Sequence, residues 1–193
     1  MPLNEQQQAV FDLIKRFLEG GEVSCFLLKG YAGTGKTFLI KTLYEYLASL
    51  QKRVVLLAPT GRAARVIEQR TGYPASTIHS QIYSMDRFLE SVIEKRDGKQ
   101  EKTYKLIFKL FDDMMDESQV FIVDESSMVS DVANDTEFIQ FGSGKLLKDF
   151  LHYARLNVPT LKNRIIFVGD PAQLPPVGMN ISPALDAGYL NGE

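Results

Sequence analysis

The chain has 193 residues, 45% of them apolar, which is enough for one α/β domain with a sizeable core spanning 1–193. Its 22 basic and 24 acidic residues leave a formal charge of −2, which excludes binding of nucleic acid by bulk positive charge and confines any such contact to local groups. There is no N-terminal signal, no lipidation motif and no apolar run of membrane-spanning length, so the expectation is a cytoplasmic, monomeric protein without a membrane partner.

In chain order, residues 4–19 come first. They place Val10, Leu13, Ile14, Phe17 and Leu18 at helical spacing, with Asn4 as cap and Gly20-Gly21 as stop. Four short apolar runs come next: VSCFLLK (23–29), VVLLA (54–58), VFIV (120–123) and IIFV (165–168). None alternates polar with apolar, the pattern of strands buried on both faces of a parallel sheet. Helical patterns over 37–50, 62–70 and 144–154 separate them, which predicts a doubly wound α/β sheet with its binding loops at the carboxyl edge. Cys25, the one cysteine, sits in the first strand as a small buried thiol. With two histidines and one cysteine scattered along the chain, the composition argues against a histidine–cysteine metal site.

The charged stretch 84–118 interrupts this rhythm. Tyr104, Leu106, Phe108 and Leu110 recur at period two, which predicts an inserted β-hairpin turning near Asp97-Gly98. Phe88 with Val92 and Leu89 with Ile93 also keep helical spacing, so a pair of helices is the competing reading.

Residues 30–37 read GYAGTGKT and match the phosphate-binding pattern G-x-x-x-x-G-K-[ST] at every fixed position, between a strand pattern and a helix pattern. A triphosphate needs backbone N–H groups wrapped closely around it, and Gly30, Gly33 and Gly35 give the chain that freedom, with Ala32 and Thr34 in the same cradle. Lys36 would reach the β- and γ-phosphates, and the Thr37 hydroxyl would ligate Mg2+. Downstream, the third apolar run ends in Asp124-Glu125. In a phosphate-loop protein this pair would hold Mg2+ through Asp124 and polarise an attacking water through Glu125; alone, it would be an ordinary helix start. The fourth run ends in GDPAQLPPVG (169–178), where Gln173 would meet the γ-phosphate and report its loss, unless the stretch is only a proline-rich turn.

Taken in order, these segments resemble superfamily one helicases of the RecD/Dda-like branch. LNEQQQAV resembles the adenine-reading Q motif, GYAGTGKT motif I, APTGRAA (58–64) motif Ia, STIHS (76–80) motif Ib, VDESSM motif II and GDPAQLPPV motif III. The resemblance implies the first RecA-like motor domain of such an enzyme, a P-loop three-layer sandwich using ATP and Mg2+. It implies that Gln7 reads adenine, although Asn4 and Gln7 also form a capping-box pattern, and the two roles are compatible. It places Pro59, Thr60, Gly61, Thr77 and His79 along a single-stranded DNA path, with Arg62 and Arg65 on a solvated helix face. Motifs IV to VI and their arginine, which belong to a second RecA-like domain, are not among these residues. The expectation is therefore a fragment that binds nucleotide but does not unwind DNA, from a parent moving five-prime to three-prime. The competing expectations are a P-loop ATPase or kinase acting on something other than DNA, and a nucleotide-binding module with 84–118 as a partner surface.

Overall fold

The computed structural model of the protein describes residues 2–21, 23–94, 100–111, 117–133 and 136–192. Helix α1 (Glu5–Glu19) starts on the Asn4 cap, and its apolar face buries Phe11 and Ile14. Strand β1 (Cys25–Lys29) then leads through the glycine loop into α2 (Lys36–Ser49), which buries Leu39, Ile40, Leu43 and Leu47 at helical spacing. Next come β2 (Arg53–Ala58), α3 (Gly61–Thr71), the three-residue strand β3 (Ala75–Thr77) and the short helix α4 (Ile78–Ile82). The long strands β4 (Tyr83–Glu94) and β5 (Gln100–Leu110) precede β6 (Gln119–Val123) and β7 (Ile139–Phe141). Helix α5 (Leu146–Tyr153), strand β8 (Arg164–Gly169) and the one-turn helix α6 (Ala187–Leu190) complete the described chain.

Five strands form one sheet in the order β1-β8-β6-β2-β3, every neighbouring pair parallel. The chain leaves β1, crosses two strand positions to β2, and only later fills the gap with β6 and β8. The central strands are buried along their whole length, as their unbroken apolar runs require. Alternate residues feed two cores. Phe121, Val123, Ile165 and Phe167 pack with Phe150 of α5 and Ile78 of α4, while Ile122, Ile166 and Val168 pack with Ile14, Ile40 and Leu43 of α1 and α2. Helices thus cover both faces, giving the three-layer α/β sandwich of a RecA-like P-loop domain. Among the described residues no helix is long and apolar enough to cross a membrane.

The insertion is a hairpin, not a helix pair: β4 and β5 are antiparallel from Tyr83–Leu110 at the base to Glu94–Gln100. The Asp97-Gly98 turn lies outside the described residues. A third strand, β7, pairs parallel to β5 through Leu106–Phe108. Neither β7 nor β3 is visible as a strand pattern, because three residues carry too little periodicity to register. Below the hairpin, the rings of Tyr83, His79, Phe108 and Phe141 form one cluster that roots it on the main domain.

Cys25 is partly rather than fully buried, yet burial still pushes its thiol up to about 11, against a smaller opposing pull from Arg164. At pH 8 almost none of it is thiolate, the reactive form. A thiol reagent at that pH is expected to label Cys25 at least about tenfold more slowly in native protein than in denaturant. Equal rates would show that β1 opens freely.

Candidate nucleotide-binding site

Because the five strands are parallel and in register, their carboxyl ends finish at one level: Lys29 opposite Gly169, Val123 opposite Phe167, Ala58 opposite Thr77. Residues 30–37, 59–61, 77–79, 124–125 and 170–173 all leave the sheet along this edge. That single topological fact assembles the candidate residues.

In the glycine loop, Gly33 and Gly35 take φ of +80 and +83, a region in which a side chain would be strained, and Gly35 caps α2. The Gly30 N–H donates to the Gly169 carbonyl at 3.0 Å, extending the sheet into the loop. The Lys36 ammonium donates to the carbonyls of Gly30 (2.7 Å) and Tyr31 (2.9 Å), and the Thr34 hydroxyl donates to Tyr31 (2.8 Å). The lysine is therefore folded back over the loop rather than extended into solvent. Residues 36–40 open α2, so the positive end of that fourteen-residue helix points into the cradle.

Asp124 is buried, while Glu125 is half-buried and adopts φ 52, ψ 36, the left-handed region that costs an ordinary residue about 1–2 kcal/mol. The Glu125 N–H donates back to the Asp124 carboxylate at 2.9 Å. Such strain, held at the end of a buried strand, marks sites where side-chain direction matters more than backbone comfort. Burial pushes Asp124 up to about 6; the Glu125 amide and the Lys36 charge pull the other way, and the Glu125 carboxylate adds to the rise. A cation beside this carboxylate would offset the cost of ionising it.

Among the described residues no group of three or more histidine, cysteine or carboxylate side chains forms a protein-built metal site. Mg2+ does not require one, since it is commonly held by one or two protein oxygens together with substrate phosphates and water. The hydroxyl of Thr37 and the carboxylate of Asp124 fit that pattern, and both line one cleft of about 410 Å3 with Glu125, Gln173, Thr60 and Arg62.

The structure adds two residues that were not expected from the sequence. Asp170, buried at the end of β8, accepts from the Ala32 N–H (2.8 Å) through one oxygen and from the Ala172 N–H (2.9 Å) through the other. It ties the glycine loop to the loop bearing Gln173. Ser127, fully buried just past Glu125, donates its hydroxyl to the Gln173 side-chain oxygen at 2.5 Å. Both lie inside motifs already singled out, but their roles rest on contacts made 138 and 46 residues away in the chain, which no local pattern encodes.

Gln7 forms the capping box in both directions, accepting from the Asn4 N–H (3.1 Å) and donating its own N–H to the Asn4 side chain (2.8 Å). Its amide group also donates to the Thr34 carbonyl at 3.3 Å, so the first helix braces the glycine loop. The Thr60 hydroxyl accepts from the Ala63 N–H as the cap of α3, and Thr77 caps α4 through the Ser80 N–H. Pro59 is half-buried and Gly61 exposed beside them; Arg62 and Arg65 are exposed on α3. His79 is half-buried against Tyr83 and Phe141, and burial lowers its pKa, keeping the imidazole neutral near pH 7.

A family model described as an AAA domain matches residues 18–179, most of the chain and all of the strand-end loops. The chain belongs to this AAA domain family. The AAA domain is 31% identical over 187 residues to an uncharacterised protein, MJ1519, of Methanocaldococcus jannaschii, covering 91% of this chain and 13% of that protein. It is 31% identical over 176 residues to the ATP-dependent RecD2 DNA helicase of Deinococcus radiodurans, covering 91% of this chain and 18% of the helicase. It is 35% identical over 79 residues to the ATP-dependent DNA helicase dda of Enterobacteria phage T4, covering 40% and 18%. The chain thus spans well under half the length of these relatives. Family, fold and cradle agree on a helicase-like, nucleotide-binding P-loop domain of superfamily one type.

Proposed function

We propose that this AAA domain is the first RecA-like motor domain of an ATP-dependent DNA helicase of the RecD/Dda-like branch, whose parent couples ATP hydrolysis to movement along single-stranded DNA, five-prime to three-prime. The observation that carries the reading is the convergence of the glycine loop, the Asp124-Glu125 pair and Gln173 on one edge of a parallel sheet, with Glu125 held in a strained conformation.

In this reading the amides of residues 30–35 and of the first turn of α2 cradle the phosphates, and Lys36 exchanges its two loop carbonyls for phosphate oxygens. Thr37 and Asp124 hold Mg2+, which when bound neutralises charge on the β- and γ-phosphates. Glu125 orients and polarises the attacking water. Gln173, tied to Ser127, registers whether the γ-phosphate is present, and Asp170 carries that state to the glycine loop through Ala32. Gln7, whose amide donates to the Thr34 carbonyl of the loop, reads the adenine in this assignment. Pro59, Thr60, Gly61, Thr77 and His79, at the ends of β2 and β3, form the DNA track, and a second RecA-like domain closes over the cleft.

Glu125→Gln tests the assignment. It keeps size and hydrogen-bonding ability while removing the base, so ATP hydrolysis is expected to fall about 10²- to 10⁴-fold with nucleotide affinity changed by less than about threefold. Hydrolysis by the variant at the unaltered rate would remove Glu125 from the mechanism. Stimulation of the full-length parent's hydrolysis by single-stranded DNA, absent in a Thr60, Thr77 double alanine variant, tests the track.

A further inference from the structure

At the opposite edge of the sheet, where the strands begin, lies a second cleft of about 490 Å3. Its floor is Arg164, the first residue of β8, which is 7% exposed and faces the ends of α1 and α2. One guanidinium nitrogen donates to the Asn163 carbonyl (2.9 Å) and another to the Gly20 carbonyl (2.7 Å), while Nε–H is buried with no acceptor among the described residues. The Phe17 ring lies 6.0 Å from the guanidinium carbon. Among the described residues no carboxylate pairs with this charge. A buried guanidinium whose compensation among the described residues is two carbonyls and a ring is an uncommon and expensive arrangement.

The rest of the cleft has the same sign. Lys52 and Lys162 stand exposed at the rim with no ion pair among the described residues, and Lys15, engaged with Asp12, lines the wall; Glu19 is the one described carboxylate there. Between the charges run apolar surfaces from Leu18, Leu47 and Val120. The combination is a pocket with a cationic floor and rim and a greasy wall, the composition of a site for a small molecule with a few well-placed polar anchors.

We propose that this amino-edge cleft binds a small organic anion, with a phosphate or carboxylate head held by Arg164, Lys52 and Lys162 and an aromatic or aliphatic body against the apolar wall. The site is separated from the glycine loop by the full length of the strands, and it stands independently of the nucleotide assignment. Ligand entry gives the Arg164 charge an anionic partner that none of the described residues provides, without dismantling its bond to Gly20, because a guanidinium has five N–H donors and two suffice for the carbonyls.

The test is an NMR titration of the isotopically labelled chain with phenyl phosphate and, separately, inorganic phosphate. The expected result is a saturable shift of the Arg164 Nε–Hε signal and of the Gly20 and Gln119 amides, with phenyl phosphate binding more tightly than phosphate. In a Lys52→Ala, Lys162→Ala variant, both lysines being exposed, the affinity is expected to fall about tenfold. Arg164→Lys, which retains a charge but not the fork, should weaken it further. Shifts confined to residues 30–37 would overturn the proposal. So would unchanged binding in the lysine variant together with a lowered melting temperature, because the cations would then serve only the carbonyl ends of α1 and α2. Equal affinity for the two probes would remove the apolar wall from the site.

Discussion

Lys36→Ala is expected to lower nucleotide affinity at least about a hundredfold in titration calorimetry, through the loss of charge-assisted hydrogen bonds worth about 1.5–3 kcal/mol each. The expectation rests on where the lysine is held. As the first residue of α2, directly after a glycine at φ +83, its backbone is fixed by helix and turn, and its ammonium already lies over the loop at hydrogen-bond distance from Gly30 and Tyr31. It has only to exchange carbonyl oxygens for phosphate oxygens, so little ordering cost remains when ligand arrives. The same contacts mean that alanine also loosens the empty loop. A melting curve taken beside the titration separates the two effects: a variant that melts within a few degrees of the parent chain and does not bind nucleotide has lost the ligand contact itself. Lys36→Arg is not a rescue, because the planar fork cannot fit the space of a compact ammonium beside two carbonyls. Retained affinity in Lys36→Ala would remove the loop from the nucleotide site.

Much of this site is legible in the sequence because parallel sheets are written in a simple code. Unbroken apolar runs such as VFIV and IIFV mark central strands, and in a parallel sheet the residues just after each run must emerge at the same edge. Asp124, Glu125 and Gln173 can therefore be placed with Lys36 from the order of the runs alone. The Asn4–Gln7 capping box is equally readable, being local. Contacts made by distant partners are not. Asp170 is one acidic residue in a turn until Ala32 is brought against it, and Ser127 is a small polar residue until Gln173 arrives. The third strand of the inserted sheet escapes for a different reason: Ile139–Phe141 is too short for any period and is held in place by β5, whose own sequence says nothing about its neighbour on that side. Arg164 illustrates the same limit in the core. In sequence it is a charge at the start of an apolar strand, and only burial turns it into a question about its counter-ion.

The junction between the inserted sheet and the main domain should be the most fragile polar contact in the fold. Asp149, on the buried face of α5 and 4% exposed, accepts from the Tyr83 hydroxyl at 2.6 Å and from the Ser143 N–H at 2.9 Å. Tyr83 opens β4, and Ser143 comes just after β7, so one carboxylate gathers both outer strands of the second sheet onto the core. Burial, reinforced by the Asp149 contact, holds the Tyr83 hydroxyl well above the ordinary phenol range, so it remains a donor at any working pH. Asp149→Ala strands the buried Tyr83 hydroxyl and removes the acceptor of the part-buried Ser143 N–H, and is expected to cost about 2–3 kcal/mol in denaturant unfolding, or roughly 4–12 °C in melting temperature. Asp149→Asn keeps an acceptor oxygen and should lose about half as much. Tyr83→Phe leaves the carboxylate with Ser143 alone, and a double-mutant cycle between the two positions should return a coupling of about 1–2 kcal/mol. Hydrogen exchange gives the decisive localisation: in Asp149→Ala, protection should fall first in β5 and β7, while β6 and β8 hold theirs. Uniform loss across both sheets would mean that the carboxylate supports the core as a whole, and the hairpin would then be an extension of the domain instead of a unit fastened to it at one point.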